Sequence, residues 1–131
     1  MIQCESLHLF IILFCQKIQR NSRKNPMTDK IVVLSACASM EEARRLARAL
    51  VEKRLAACVN VMPGIRSVYR WKDAIEEEEE VFLLMKSSRA LLDDVRAEIE
   101  RMHSYEVPEV IALPIVDGSE RYLSWMNREL A

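Results

Sequence analysis

Residues 56–86, AACVNVMPGIRSVYRWKDAIEEEEEVFLLMK, carry the pattern that decides the fold. Ala56–Met62 is rich in small and β-branched residues and reads as a strand. Pro63-Gly64 interrupts it. Proline has no N–H for a central ladder, so this strand lies at a sheet edge and bulges or kinks at the dipeptide. The strand resumes at Ile65 and runs to Trp71, and Lys72-Asp73-Ala74 forms the turn. A third strand starts at Ile75, passes through Glu76–Glu80 and continues to Lys86. Its segment Val81–Met85 is apolar without interruption, as expected of a central strand with both faces covered.

Outward from this hairpin the elements alternate. Ile31–Cys37 is a short apolar run and reads as a buried strand. Ser39-Met40-Glu41-Glu42 has the S-x-x-E spacing of a capping box. Ala43, Leu46, Ala47, Leu50 and Val51 follow at helical spacing, which predicts an amphipathic helix ending near Arg54. Ser88 stands as the cap of a second helix, whose buried face is Leu91, Leu92, Val95, Ile99 and Met102. Residues 103–109 connect to a fourth strand, Val110–Val116. Ser119 caps a terminal helix carrying Tyr122, Leu123, Met126 and Leu130. The order β-α-β-β-α-β-α predicts an α+β fold: a ferredoxin-like βαββαβ sandwich with an extended β-hairpin, both main helices on one sheet face, and a C-terminal helix.

The hairpin is too long for its domain. A thirteen-residue strand spans roughly 43 Å, whereas a domain of about 105 residues has a radius of gyration near 13 Å. The tip carries Ile65, Val68, Tyr69, Trp71 and Ile75. An isolated two-stranded ribbon is marginal in water, and exposed aromatic strands invite pairing. Burial against other copies in a closed homo-oligomer resolves both problems; the competing reading folds the aromatics back on their own sheet.

The chain has 131 residues, half of them apolar and 30% charged, a composition suited to one soluble domain. Residues 1–26 carry Lys17, Arg20, Arg23 and Lys24 against Glu5, a net +3, which leaves −4 on the rest of a chain whose net charge is −1. An acidic domain with no basic stripe is a poor binder of phosphate backbones, which excludes nucleic acid as a partner. Residues 1–26 read as a poorly ordered N-terminal extension, a start upstream of the natural one at Met27, with the domain occupying 27–131. The apolar stretch Leu7–Cys15 is too short to span a bilayer and lacks signal-peptide flanks, so stable membrane insertion is not expected. Cys4, Cys15, Cys37 and Cys58 form no C-x-x-C pair, and reduced thiols in a cytoplasmic protein are expected.

Several ordered segments make the chain similar to a known family. Leu55–Asn60, Met62–Ile65 and Ser67–Lys72 resemble the second strand of the CutA family of divalent-cation tolerance proteins. Glu80-Val81 through Leu84–Ser87 resembles its third strand, His103–Ile115 its most recognisable block, and Tyr122–Trp125 its C-terminal helix. The resemblance covers nearly all of residues 30–130. It implies a ferredoxin-like homotrimer whose hairpins pack around a three-fold axis, an architecture also similar to the nitrogen-signalling PII proteins. It further implies a role in tolerance to copper and other divalent cations.

Three groups of residues are candidates for chemistry. Cys37, Cys58 and His103 offer a three-ligand metal set, since thiolates suit Cu(I) and imidazole suits Cu(II) or Zn(II). Their spacing matches no compact zinc motif, and the competing reading makes the cysteines small buried hydrophobes. Copper-binding members of the family, by the resemblance, use a first-strand cysteine and a histidine before a Pro-Tyr-like block. Here Ser35 stands at that strand position and Cys37 lies two residues on, on the same sheet face. Met102-His103 supplies one histidine and a neighbouring thioether. Glu76, Glu78 and Glu80 alternate onto one face, so Glu78 and Glu80 form a second, carboxylate candidate for a hard divalent cation, or else a charge-protected ribbon edge. Finally, Trp71, Lys86, Tyr105, Glu106 and Glu109 are expected to line a small-molecule cleft between subunits. No G-x-S-x-G, P-loop, G-x-G-x-x-G or H-E-x-x-H occurs in the sequence, so a binding protein is expected rather than an enzyme. The alternative within that class is a PII-like sensor or scaffold.

Overall fold

A computed structural model describes residues 9, 11–13 and 28–131. The expected extension over residues 1–26 lies outside the described residues, except for Leu9 and residues 11–13, which are helical and exposed. The elements are β1 (Lys30–Cys37), α1 (Met40–Glu52), β2 (Cys58–Trp71), β3 (Ala74–Ser88), a 3-10 turn (Arg89–Leu91), α2 (Leu92–Met102), β4 (Ile111–Pro114) and α3 (Glu120–Glu129). The four strands form one sheet in the order β2-β3-β1-β4. Every neighbouring pair is antiparallel. This is the ferredoxin-like arrangement, with β3 central and β2 at an edge.

Strand alternation divides the sheet into two faces. Ile31, Val33, Ser35 and Cys37 of β1 and Val81, Leu83, Met85 and Ser87 of β3 are all buried. They share a face, because Cys37 pairs with Val81, Ser35 with Leu83 and Val33 with Met85. Ala43, Leu46 and Leu50 of α1 and Val95 and Ile99 of α2 join them in a single core. The other face carries Val32 and Leu34 of β1, Phe82 and Leu84 of β3, Met62 of β2, and Ile111 and Leu113 of β4. Among the described residues, Ile111 and Leu113 on this face remain about half exposed, at 48% and 49%.

The β2–β3 hairpin outruns the rest of the sheet. β1 pairs with β3 only from Val81 to Ser88, so residues 65–71 and 74–80 pair with each other alone. The register shifts between Met62 and Ile65, and Gly64 sits at φ +79° there, a conformation that costs an L side chain but not glycine. This is the bulge foreseen from Pro63-Gly64. At the tip both Lys72 and Asp73 have positive φ, 47° and 65°, the signature of a two-residue primed turn whose twist matches the strands.

Three local expectations change. The fourth strand is shorter than Val110–Val116: ladder pairing runs only from Ile111 to Pro114, because the next β1 donor, Lys30 N–H, goes to Thr28 Oγ1 (3.2 Å) rather than to Ile115 O. The chain beyond stays tethered by Ile115 N–H to Lys30 O (3.0 Å) and Thr28 Oγ1–H to Ile115 O (2.5 Å). Ser88 precedes a 3-10 turn and makes no side-chain capping bond. Only half of the capping box at α1 forms. Ser39 Oγ accepts from Glu42 N–H at 3.2 Å, but the Glu42 carboxylate turns to a distant loop.

Candidate functional site

Helix α2 ends at His103, whose N–H still donates to Ile99 O at 2.9 Å. The chain then turns across the end of the sheet where β1 stops and β3 becomes part of the free ribbon. Here the Glu42 carboxylate accepts from Ser104 N–H (2.8 Å) and Ser104 Oγ–H (2.9 Å), which ties the loop to α1. Glu42 is buried, and its Oε1 lies 3.4 Å from His103 Nδ1. The imidazole is fully buried. Nδ1 accepts from Tyr105 N–H at 3.0 Å, so the proton resides on Nε2, which donates to Ala36 O at 2.8 Å and stands 3.7 Å from Cys37 Sγ.

The ligand atoms of Cys37, Glu42 and His103 all lie within 4.8 Å of one another. Their types are thiol, carboxylate and imidazole, a mixed S/O/N set of the kind that suits a borderline cation such as Zn(II) or Cu(II). A tetrahedral ion with bonds of about 2.3 Å to sulfur and about 2.1 Å to nitrogen spans an S···N distance of roughly 3.6 Å. The observed 3.7 Å is of that size, but the nitrogen facing Cys37 is Nε2, so a shared ion has to displace the Nε2 proton and its bond to Ala36 O as well as the thiol proton. Burial, then the charges of Glu42 and Glu80, push the Cys37 thiol up to about 12. A cation has to displace that proton, which couples binding to pH.

Of the metal ligands expected from sequence, Cys37 and His103 come together and Cys58 does not. Cys58 pairs with Lys86, five residues along β3 from Val81, the partner of Cys37. That is about 17 Å along the strand, and Cys58 lies on the open face whereas Cys37 faces the helices. Lys86 Nζ contacts Cys58 Sγ at 3.7 Å and donates to Asn60 Oδ1. Met102 packs against the core. Glu42 was missed as a ligand candidate. The signal was present in S-x-x-E, but a local capping role absorbed it.

Around the sheet end from this cluster lies a cleft of about 760 Å³, lined by Trp71, Tyr69 and Phe82, by Glu76, Glu78 and Glu80 of β3, and by Tyr105, Glu106 and Glu109 of the loop. Tyr105 O–H donates to Glu80 Oε2 at 2.8 Å, and Tyr69 O–H donates to Glu78 Oε2 at 2.9 Å. Burial and the bond to Glu80 raise the Tyr105 phenol above its ordinary value, and the bond to Glu78 raises that of Tyr69. Burial, then Glu80, holds the Glu109 carboxyl above the usual carboxylate range. The cleft thus gathers Glu78, Glu80, Trp71, Tyr105, Glu106 and Glu109 as the sequence suggested. It leaves out Lys86, which stands six residues from Glu80 on β3, about 20 Å away. No basic side chain is among the lining residues. On the ribbon itself the ion pair is Arg66–Glu77 at 3.9 Å, while Lys72 lies over the Trp71 ring at 5.6 Å.

Comparison with known proteins agrees with the architecture. The family profile described as "CutA1 divalent ion tolerance protein" matches residues 31–129. A relative from Thermus thermophilus named "Divalent-cation tolerance protein CutA" is 45% identical over 96 residues, covering 73% of this chain and 93% of that protein. "Protein CutA" of Mus musculus is 46% identical over 92 residues, 70% of this chain and 52% of that protein, so the chain spans about half the length of this mammalian relative. The solved divalent cation tolerance protein of Thermus thermophilus superposes with a TM-score of 0.76 at 42% identity, covering 78% of this chain and 99% of that one. The CutA1 structure from Oryza sativa gives a TM-score of 0.77 at 39% identity, covering 80% and 96%.

Proposed function

This chain belongs to the CutA1 divalent ion tolerance protein family, and on that premise we propose that it acts by binding a divalent cation at Cys37, Glu42 and His103. The observation that carries this reading is the convergence of a thiol, a carboxylate and an imidazole within 4.8 Å. When bound, the ion supplies charge to a site that otherwise holds a carboxylate beside a protonated thiol. The chain's own residues orient the ligands. Ala36 O and Tyr105 N–H fix the imidazole, and Ser104 holds the Glu42 carboxylate toward it. The metal is copper or another cation of the same class, by the ligand types present.

The protein works as a homotrimer, a reading supported by the exposed Met62, Ile111 and Leu113 of the open sheet face and by the exposed Val68, Tyr69, Trp71 and Ile75 of the ribbon. It binds rather than catalyses. The described residues contain no helix long and apolar enough to cross a membrane, and the free thiols of Cys37 and Cys58 suit the cytoplasm. A second reading, a PII-like sensor taking a small molecule or a protein partner, is favoured only by the aromatic and carboxylate cleft.

Titration calorimetry on the reduced protein tests the first reading. Saturable binding of Zn(II) or Cu(II) that is lost in Cys37→Ser and in His103→Gln is expected. No saturable heat with either ion overturns it.

A further inference from the structure

The ligand groups of the proposed cation site are sealed from solvent. Cys37 is 0% exposed, Glu42 7%, and the His103 side chain 0%. Against them on the solvent side runs the segment Ser104–Glu109, in which Ser104, Glu106 and Val107 are exposed. Its first two residues are held by side chains. Ser104 N–H donates to Glu42 Oε1 at 2.8 Å, and Ser104 Oγ–H to Oε2 at 2.9 Å. Tyr105 N–H donates to His103 Nδ1 at 3.0 Å, and the two rings lie 4.8 Å apart. Tyr105 O–H donates to Glu80 Oε2 at 2.8 Å. Two of these acceptor groups, Glu42 and His103, are themselves proposed ligands. The empty site therefore uses its own ligands to keep its cover shut.

Those bonds and a filled site compete. Charge-assisted bonds to a carboxylate draw on its negative charge. A cation at Glu42 neutralises that charge and weakens both Ser104 bonds. His103 adds a second conflict. A neutral imidazole that gives Nε2 to a metal carries its proton on Nδ1. Tyr105 N–H already points at that nitrogen. Two donors would then face each other, so Tyr105 has to move. Glu42 Oε1, 3.4 Å from Nδ1, is placed to accept the relocated proton's bond instead.

We propose that Ser104–Glu109 is a gate over the cation site, latched by Ser104 on Glu42 and by Tyr105 on His103, and that filling the site releases it. This rests on the cation-binding reading above and adds the regulation of that site. Uptake waits for the latch to open, as a local opening of the fold. The occupied and empty states then differ at the surface, where Ser104, Glu106 and Val107 lie. The bond from Tyr105 to Glu80 carries the movement to the ribbon.

Hydrogen exchange of the Ser104 and Tyr105 amides, on the reduced full chain with and without Zn(II), tests the release. Both are expected to exchange at least about tenfold faster in the loaded protein, having lost their acceptors. Unchanged or slower exchange overturns the proposal, because a segment that only supports the ligands tightens on loading. Stopped-flow mixing with Co(II), whose thiolate absorption reports arrival at Cys37, tests the latch. The parent's rate is expected to level off as Co(II) rises. In Ser104→Ala, which lacks the latch hydroxyl, it is expected to level off at least about fivefold higher. A variant no faster at saturating Co(II) overturns the proposal. Circular dichroism checks that the variant is folded. If it is not, Tyr105→Phe, which loses the bond to Glu80, replaces it with the same expectation and the same refuting result. Absence of saturable Zn(II) and Co(II) binding to the parent refutes the cation-binding reading itself, whereas binding with unaltered exchange and rates refutes only the gate.

Discussion

Replacing Glu42 separates the structural work of the cluster from its proposed cation binding. In Glu42→Ala the loop loses its anchor: Ser104 N–H, 2.8 Å from the carboxylate, and Ser104 Oγ–H, 2.9 Å away, are both left without this acceptor. Hydrogen bonds to a charged acceptor contribute about 1.5–3 kcal/mol each. The hydroxyl belongs to an exposed residue and regains water, so the backbone bond dominates and the expected loss is about 2 kcal/mol. Glu42→Gln keeps an oxygen for Ser104 N–H and offers its amide to the hydroxyl, so its expected loss is under about 1 kcal/mol. Urea unfolding of both variants and the parent at one fixed protein concentration measures this, because mass action shifts the apparent stability of an oligomer. The same two variants are expected to bind Zn(II) at least about tenfold more weakly, by loss of one of three ligands. An alanine variant as stable as the parent would show that the loop is not held through Glu42. A glutamine variant that binds Zn(II) at parental strength would remove Glu42 from the site.

Acid should destabilise the protein through Glu98, whose carboxyl is held down at about 2, first by its bond to Arg101 and then by that to Lys53. A depressed carboxyl stabilises the fold above its unfolded value near 4.5 and loses that contribution as pH falls toward 2; both cations are half exposed or more, so the amount is about 1–1.5 kcal/mol after screening, absent in Glu98→Gln when stability is followed from pH 6 to pH 2. Gly64→Ala puts a side chain at φ +79° in otherwise open space, so pure backbone strain of about 1 kcal/mol is expected in urea unfolding, and a neutral outcome would contradict the bulge geometry. The buried Cys37 thiol, pushed up to about 12, is expected to react with an aromatic disulfide at pH 8 only as fast as the protein opens, read by peptide mapping of the labelled chain; rapid labelling at Cys37 would contradict its placement.

Much of the fold was legible because its signals are local. The unbroken run Val81–Met85 marked the central strand, Pro63-Gly64 marked the bulge of an edge strand, and the spacing of Ala43, Leu46 and Leu50 marked the buried face of α1. Element ends were less legible where a side-chain hydroxyl or a cap decided them: Thr28 Oγ1 takes the Lys30 N–H and ends the β4 ladder at Pro114, and Ser88 makes no side-chain capping bond. The site was legible in part for a different reason. Which thiol meets His103 depends on register across the sheet, and only the pairing of Cys37 with Val81 and of Cys58 with Lys86 sets the two cysteines apart on opposite faces. Glu42 illustrates a competition between local and long-range partners. Its spacing from Ser39 fits a capping box, yet the loop at Ser104 offers two donors, and the carboxylate takes those. Tyr105 was legible as a cleft residue, whereas its bond to Glu80 depends on a loop crossing the sheet end that no periodicity encodes.

X-ray absorption at the zinc edge of the Zn(II)-loaded, reduced protein probes the proposed cation site at the atoms themselves. One sulfur at about 2.3 Å, with nitrogen and oxygen at about 2.0–2.2 Å, is expected in the parent, and the sulfur shell should vanish in Cys37→Ser but persist in Cys58→Ser. A zinc environment of oxygen alone, or a sulfur shell that follows Cys58, would contradict binding at Cys37, Glu42 and His103.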